Sequence, residues 1–228
     1  MTVSASPTTH PVRVILWDID KTLLLSDKRV NLFDNAFEEL FGHPRPDDAT
    51  ISKGGKVDGQ IAREYLALEN SNDFDGYMRA LNRISVEYYT RNPLSCVPGV
   101  PATLRATLDA GVINGLYTGN TPERASVKLT TAGIASDEYF NGFAHGAAFC
   151  QGYSGNRLDG VPAVLAAFDP ADVLIAGDTP RDYALAQAVG CRFWQVGETP
   201  IDDVAGIRVG RGHDFTGADG EGFLAALR

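Results

Sequence analysis

Three short polar stretches follow directly on apolar runs, and their residue types could do chemistry. The run Val12-Arg-Val-Ile-Leu-Trp17 ends in Asp18-Ile-Asp20-Lys-Thr22. The run Val112 to Tyr117 ends in Thr118-Gly119-Asn120, and Val173 to Ala176 ends in Gly177-Asp178-Thr-Pro-Arg-Asp182. A carboxylate can attack an electrophile or carry a proton to and from a reacting oxygen. A glycine between two polar residues lets backbone N–H groups approach an anion closely. If the three stretches are neighbours, their carboxylates repel, since two charges about 4 Å apart cost about 4 kcal/mol at an effective dielectric near 20. Such a cluster calls for a cation. Hard oxygen donors with no His or Cys nearby in sequence favour Mg2+ over zinc.

The elements that would hold these residues are legible as alternating patterns. An apolar run that stops at polar residues reads as a buried parallel strand, and open α/β sheets bind ligands at the carboxyl ends of such strands. After Thr22 the pattern becomes helical, with Val30, Phe33, Phe37 and Leu40 at three- and four-residue spacing and Gly42 as the stop. The Gly-rich loop Ser52 to Asp58 follows, carrying Lys53 and Lys56. Helical patterns then run through Ile61, Tyr65 and Leu68, and through Phe74 to Tyr88, ending at Asn92-Pro93. From Val97 onward helix and strand patterns alternate. Helices are expected through Leu104 and Leu108, from Thr121-Pro122 to Gly133, over Pro162 to Phe168 and from Thr179-Pro180 to Gly190. A weak strand is expected near Phe140 to Ala144, and Phe193 to Val196 closes the clear part of the sheet. The alternation predicts an α/β protein with a doubly wound parallel sheet and a small α-helical domain inserted after the first strand. The expected division is a core of 1–25 and 97–228, with 1–11 a flexible tail, and a helical cap of 26–96.

Asp18-Ile-Asp20-Lys-Thr22 resembles the first signature of the haloacid dehalogenase-like hydrolase superfamily, most of whose members are phosphatases. Thr118-Gly119-Asn120 is similar to its second motif and Gly177-Asp178-x-x-x-Asp182 to its fourth. The third is a single Lys or Arg before the strand of the fourth, for which Arg157 is the best candidate. Lys128, the only lysine after Asn120, falls inside a helix. The resemblance implies that Asp18 is the nucleophile that forms an aspartyl-phosphate, and that Asp20 is the general acid and base. Thr22, Thr118, Gly119, Asn120 and Arg157 would hold the phosphoryl group. Mg2+ would bind the Asp18 carboxylate, the Asp20 carbonyl and Asp178, with Asp182 as an orienting acid behind them. Thr179-x-x-Asp182 also has the form of a helix capping box. The helical insert, Pro98-Gly99-Val100 and the fourth motif together look most like the phosphoglycolate phosphatase-like group. The insert then implies a lid, whose Lys53 or Lys56 contacts the leaving group of the substrate.

The resemblance therefore implies a Mg2+-dependent phosphatase acting on a small phosphorylated metabolite. A sugar phosphomutase or a phosphonatase shares the layout, and a non-catalytic protein that binds a phosphorylated ligand is an alternative of a different class. Net charge is -9 over 228 residues, without a Lys or Arg block, which speaks against nucleic acid or an anionic membrane as partner. The three cysteines are widely spaced and the four histidines share no ligand spacing. Neither set suggests a disulfide framework or a thiolate metal site. The amino-terminal segment is polar, without the apolar core of a signal peptide, and the expectation is a cytoplasmic monomer or homodimer.

Overall fold

The computed structural model describes residues 10–25, 30–46, 50–136 and 138–228. Residues 1–9 of the expected tail, and Ser26 at the expected start of the insert, lie outside them. Six strands form one parallel sheet: β1 (Val14–Trp17), β2 (Ile113–Thr118), β3 (Ala148–Cys150), β4 (Val173–Gly177), β5 (Arg192–Val196) and β6 (Arg208–Gly212), in the order β3-β2-β1-β4-β5-β6. The order reverses beside β1, so a crevice opens between the carboxyl ends of β1 and β4. Trp17 pairs with Leu116 on one side and with Ala176 on the other. This register brings Asp18, Thr118 and Asp178 to the same edge.

Burial on both faces explains why the strands read as continuous apolar runs. Ile15 and Trp17 face one apolar cluster while Val14 and Leu16 face the other, as the twofold alternation of a strand requires. Trp17 is fully buried against Phe215 and Phe223, with ring centroids 5.5 and 5.2 Å away. Its indole donates to Asn114 Oδ1 at 3.1 Å, and Asn114 Nδ2 donates to the carbonyls of Leu104 and Tyr139. A polar residue inside β2 is tolerated because its hydrogen bonds are met.

Helices α1 (Leu32–Phe41), α2 (Asp58–Ala67) and α3 (Phe74–Arg91) come between β1 and β2 and pack on one another. Phe37, Tyr65, Tyr77 and Leu81 belong to the same apolar cluster as Trp17, so the helical insert and one face of the sheet share a core. The remaining helices are α4 (Val100–Asp109), α5 (Pro122–Thr131), α6 (Val161–Ala167), α7 (Pro180–Val189) and α8 (Gly217–Ala225). Helix α3 packs on α5. Among the described residues no helix is long and apolar enough to cross a membrane.

Two strands differ from the sequence reading. Phe140 to Ala144 is not a strand: Gly142 N–H donates to the Asn114 carbonyl and Asn141 accepts from Asn114 N–H, so this turn caps the start of β2. Pairing with β2 begins only at Ala148. β6 lies beyond the last expected strand, and Gly210 within it packs under Trp194, where a Cβ would collide with the ring. That contact explains a strand without apolar alternation.

Candidate active site

Helices α1 to α3 roof the crevice, and beneath them lies a cavity of about 730 Å³. Asp18, at the end of β1, is buried, and its N–H donates to the Ala176 carbonyl at 3.0 Å, which ties it to β4. Arg157 comes from the 3₁₀ turn Arg157–Gly160. Its guanidinium donates to Asp18 Oδ1 at 2.8 Å, to the Tyr117 carbonyl at 3.2 Å and to Asp182 Oδ1. The Tyr117 hydroxyl donates in turn to the Arg157 carbonyl, fixing the turn against β2. A loop cation 139 residues from Asp18 in sequence thus sits on the first carboxylate.

Asp182 uses its second oxygen to accept from Thr179 N–H at 2.9 Å and from the Thr179 hydroxyl at 2.6 Å. It therefore caps α7 and holds Arg157 at once. Oxygens of Asp18, Asp178 and Asp182 lie within 4.8 Å of one another. Burial, reinforced by Asp182 and Asp20 and opposed by Arg157, raises the Asp18 carboxyl to about 7. Burial and the charges of Asp18 and Asp182, opposed by Lys21, raise Asp178 to about 8. Carboxyls held so far above their ordinary range show a shortage of positive charge. Their all-oxygen donor set fits Mg2+.

Asp20 has the opposite surroundings. Lys128 Nζ donates to both of its oxygens, at 2.7 and 2.8 Å, and to Asn120 Oδ1 at 2.8 Å. Asn120 Nδ2 donates to Asp20 at 2.9 Å and to the Thr118 hydroxyl at 2.8 Å. Burial pushes the Asp20 carboxyl up, but the Lys128 ammonium and the hydrogen bonds from Lys128 and Asn120 bring it down to about 2. One turn earlier on α5, Arg124 makes a buried ion pair with Asp58, the first residue of α2. Asp58 also accepts from Thr121 N–H at 2.9 Å and donates its own N–H to the Gly119 carbonyl at 2.8 Å. The loop Thr118–Asn120 is thus clamped by the roof. Gly119 is required there, because a Cβ would meet the Lys56 carbonyl.

Asp18, Asp20, Gly119, Asn120, Arg157 and Asp178 line the cavity, as do Lys53 and Lys56. Lys53 projects over the Phe33 ring at 5.6 Å, whereas Lys56 is held by Glu64 at 2.6 Å. Thr118 stands behind the loop, and its hydroxyl is an acceptor for Asn120. Thr22 is fully buried away from the cavity, and its hydroxyl has no hydrogen-bond partner among the described residues. Sequence reasoning missed Asp58 and Arg124 and set Lys128 aside as a helix residue. The signal was present: Arg124 and Lys128 are spaced by four, so they stack on one face of α5, and helical side chains lean toward the amino-terminal end, where Asn120 lies just before the N-cap.

No family model and no curated protein matches this sequence. Solved structures do match in shape. CbbY from Rhodobacter sphaeroides, in complex with phosphate, superposes with a TM-score of 0.67 at 15% identity, over 89% of this chain and 94% of that one. A protein assigned as a haloacid dehalogenase-like hydrolase from Bacteroides fragilis gives 0.61 at 18% identity, over 88% and 95%. A protein assigned as a phosphoglycolate phosphatase from Haemophilus somnus gives 0.58 at 17%, over 81% and 85%. At such identities the likeness is one of fold. The chain has the fold of the haloacid dehalogenase-like hydrolases, with its carboxylate cluster in the crevice between β1 and β4.

Proposed function

We propose that this chain is a Mg2+-dependent phosphatase that hydrolyses a small phosphomonoester through an aspartyl-phosphate on Asp18. The observation that carries this reading is the Asp18 carboxylate at the switch point of the sheet, bound to Arg157 and facing Asp178 inside a roofed cavity. An Asp18 oxygen attacks phosphorus and the bond to the leaving oxygen breaks, with Asp20 placed to supply its proton. Water then attacks the aspartyl-phosphate, Asp20 takes the water's proton, and the P–O bond to Asp18 breaks with its electron pair returning to the carboxylate. Arg157 and the N–H groups around Gly119 hold the phosphoryl oxygens throughout. The Asp18 and Asp178 carboxylates and the Asp20 carbonyl would hold Mg2+, which offsets the repulsion between an anionic nucleophile and an anionic phosphoryl group.

The helical insert would act as the lid that excludes water from the cavity, with Lys53, on its inner side, meeting the leaving group. The fold neighbour CbbY binds phosphate, which supports a phosphorylated ligand here. A soluble metabolite in the cytoplasm is the substrate this cavity would suit. The test is phosphate release from p-nitrophenyl phosphate and a panel of small phosphomonoesters, phosphoglycolate among them. Wild type, Asp18→Asn and Lys53→Ala are compared in Mg2+ and in chelator. Mg2+-dependent release that Asp18→Asn abolishes and Lys53→Ala redistributes among esters is expected. Isomerisation of a sugar phosphate without net release would make the chain a mutase, and binding without turnover would make it a phospho-ligand-binding protein.

A further inference from the structure

A cation on α5 grips the second aspartate of the cavity. The Lys128 ammonium has three N–H donors, and the three acceptors around it are the two Asp20 oxygens and Asn120 Oδ1. Lys128 is itself buried, its Nζ 5.4 Å from the centroid of the Tyr89 ring on α3, and Arg124 one turn away is locked to Asp58. The ammonium therefore sits on the buried face of a helix that Arg124 anchors one turn away. Asp20, by contrast, keeps 44% of its side chain accessible from the cavity and lies on a loop where Lys21 takes a positive φ of 64°. An aspartate on such a loop has several open rotamers, and freezing one of them requires an outside contact.

We propose that Lys128 is a positioning residue that fixes the direction of the Asp20 side chain, aiming it at the water that attacks the aspartyl-phosphate. The proposal rests on the phosphatase reading above and adds to it the residue on which the second chemical step depends. An ammonium that donates to both oxygens fixes the plane of the Asp20 carboxyl group, and with it the direction in which that group meets the water. In that step the water oxygen bonds to phosphorus, its proton passes to Asp20, and the bond to Asp18 breaks. Removing the ammonium frees Asp20 to rotate, so this step slows. Transfer from p-nitrophenyl phosphate to Asp18 needs no proton from Asp20, because nitrophenolate leaves as a stable anion.

The experiment is rapid-mixing kinetics of Lys128→Met with p-nitrophenyl phosphate and Mg2+, with mass spectrometry of acid-quenched protein. The steady-state rate should fall about 100-fold. The initial burst of nitrophenolate should change by less than about 3-fold, and Asp18 should accumulate one phosphoryl group. A burst that falls together with the steady-state rate, or no change in either, overturns the proposal. Lys128→Gln, which keeps one donor at similar length, serves if the Met variant does not fold. Crystal structures of wild type and variant decide the positioning role without turnover. Asp20 should leave its wild-type rotamer in the variant, and an unmoved carboxylate refutes the proposal. A wild type that releases no phosphate counts against the phosphatase reading and leaves the structural comparison to judge Lys128.

Discussion

The floor and the α5 wall of the cavity are built from the same charged groups in different proportions. On the floor, Asp18 and Asp182 share one buried cation, Arg157, while Asp178 has the exposed Lys21 nearby. On the wall, Asp20 and Asp58 have Lys128 and Arg124, one each. Burial raises the carboxyls in both places, yet Asp18 and Asp178 are raised to about 7 and about 8 while Asp20 is lowered to about 2. Asp58 too is raised by burial despite Arg124, so what sets Asp20 apart is the Lys128 ammonium together with the hydrogen bonds that Lys128 and Asn120 give it. A floor short of positive charge is where the proposed function puts a cation and a reacting group. A wall that is neutral in itself needs no ligand, and it holds the loop and the roof in place.

The sharpest way to break this comparison is to neutralise the floor at its centre. Asp18→Asn is expected to reduce phosphate release by at least about 10⁴-fold, because nothing replaces the nucleophile. Asp20 and the wall should be undisturbed, so the variant should still fold and bind phosphate in Mg2+, as calorimetry can check. Arg157→Met comes next. It removes the one floor cation and leaves Asp18 and Asp182 facing each other. An expected loss of about 10³-fold in kcat accompanies a loss of stability of about 3 kcal/mol in chelator, read by urea unfolding. Mg2+ should restore part of the stability and little of the rate.

On the wall, Asp58→Asn leaves Arg124 buried without its charge partner. The expected cost is again about 3 kcal/mol in urea unfolding, but here Mg2+ should restore none of it. A double-mutant cycle with Arg124→Met should recover much of that loss, since the pair is then removed together. Recovery by Mg2+ in Asp58→Asn would show that the two regions are one electrostatic unit and would end the distinction.

Much of the floor was legible in the sequence because Asp18 and Asp178 directly follow strands. The apolar runs of β1, β2 and β4 announce buried parallel strands, and a parallel sheet collects their carboxyl ends at one edge. Asp18, Thr118 to Asn120 and Asp178 could therefore be placed together before any contact was known. Arg157 was harder, since its turn belongs to no apolar pattern, and only the resemblance to the third family motif singled it out. The wall was not legible in the same way. Asp58 and Arg124 are 66 residues apart and Asp20 and Lys128 are 108 apart. Their pairing depends on how the roof docks on α5, a tertiary fact that no local period records. The helical spacing of Arg124 and Lys128 pointed to a shared face without saying what it met. β6 stayed hidden for a packing reason, because Trp194 occupies the space that side chains of a regular strand would fill.

The smallest expected effect separates the regions by pH alone. Asp18 and Asp178 keep their protons in the folded chain well above the ordinary range of about 4. Between pH about 4 and about 8 the folded state therefore binds more protons than the unfolded state, and stability falls as pH rises. Asp20 has the opposite sign: its contribution is complete above about pH 4 and is lost as pH falls toward 2. The window from pH 5 to pH 8 thus reports the floor and is silent about Asp20; Asp58, raised by burial, adds with the floor's sign, and Asp58→Asn in the same window measures its share. In chelator Tm is expected to drop by about 5 °C across it. Millimolar Mg2+ should offset most of that drop, because it takes the place of the protons and binds more tightly as they leave. Asp178→Asn, with one floor charge removed, should flatten the dependence in chelator. A Tm that rises from pH 5 to pH 8 in chelator would mean that the floor carboxylates are already compensated by the protein, and that the cavity has no need of a metal.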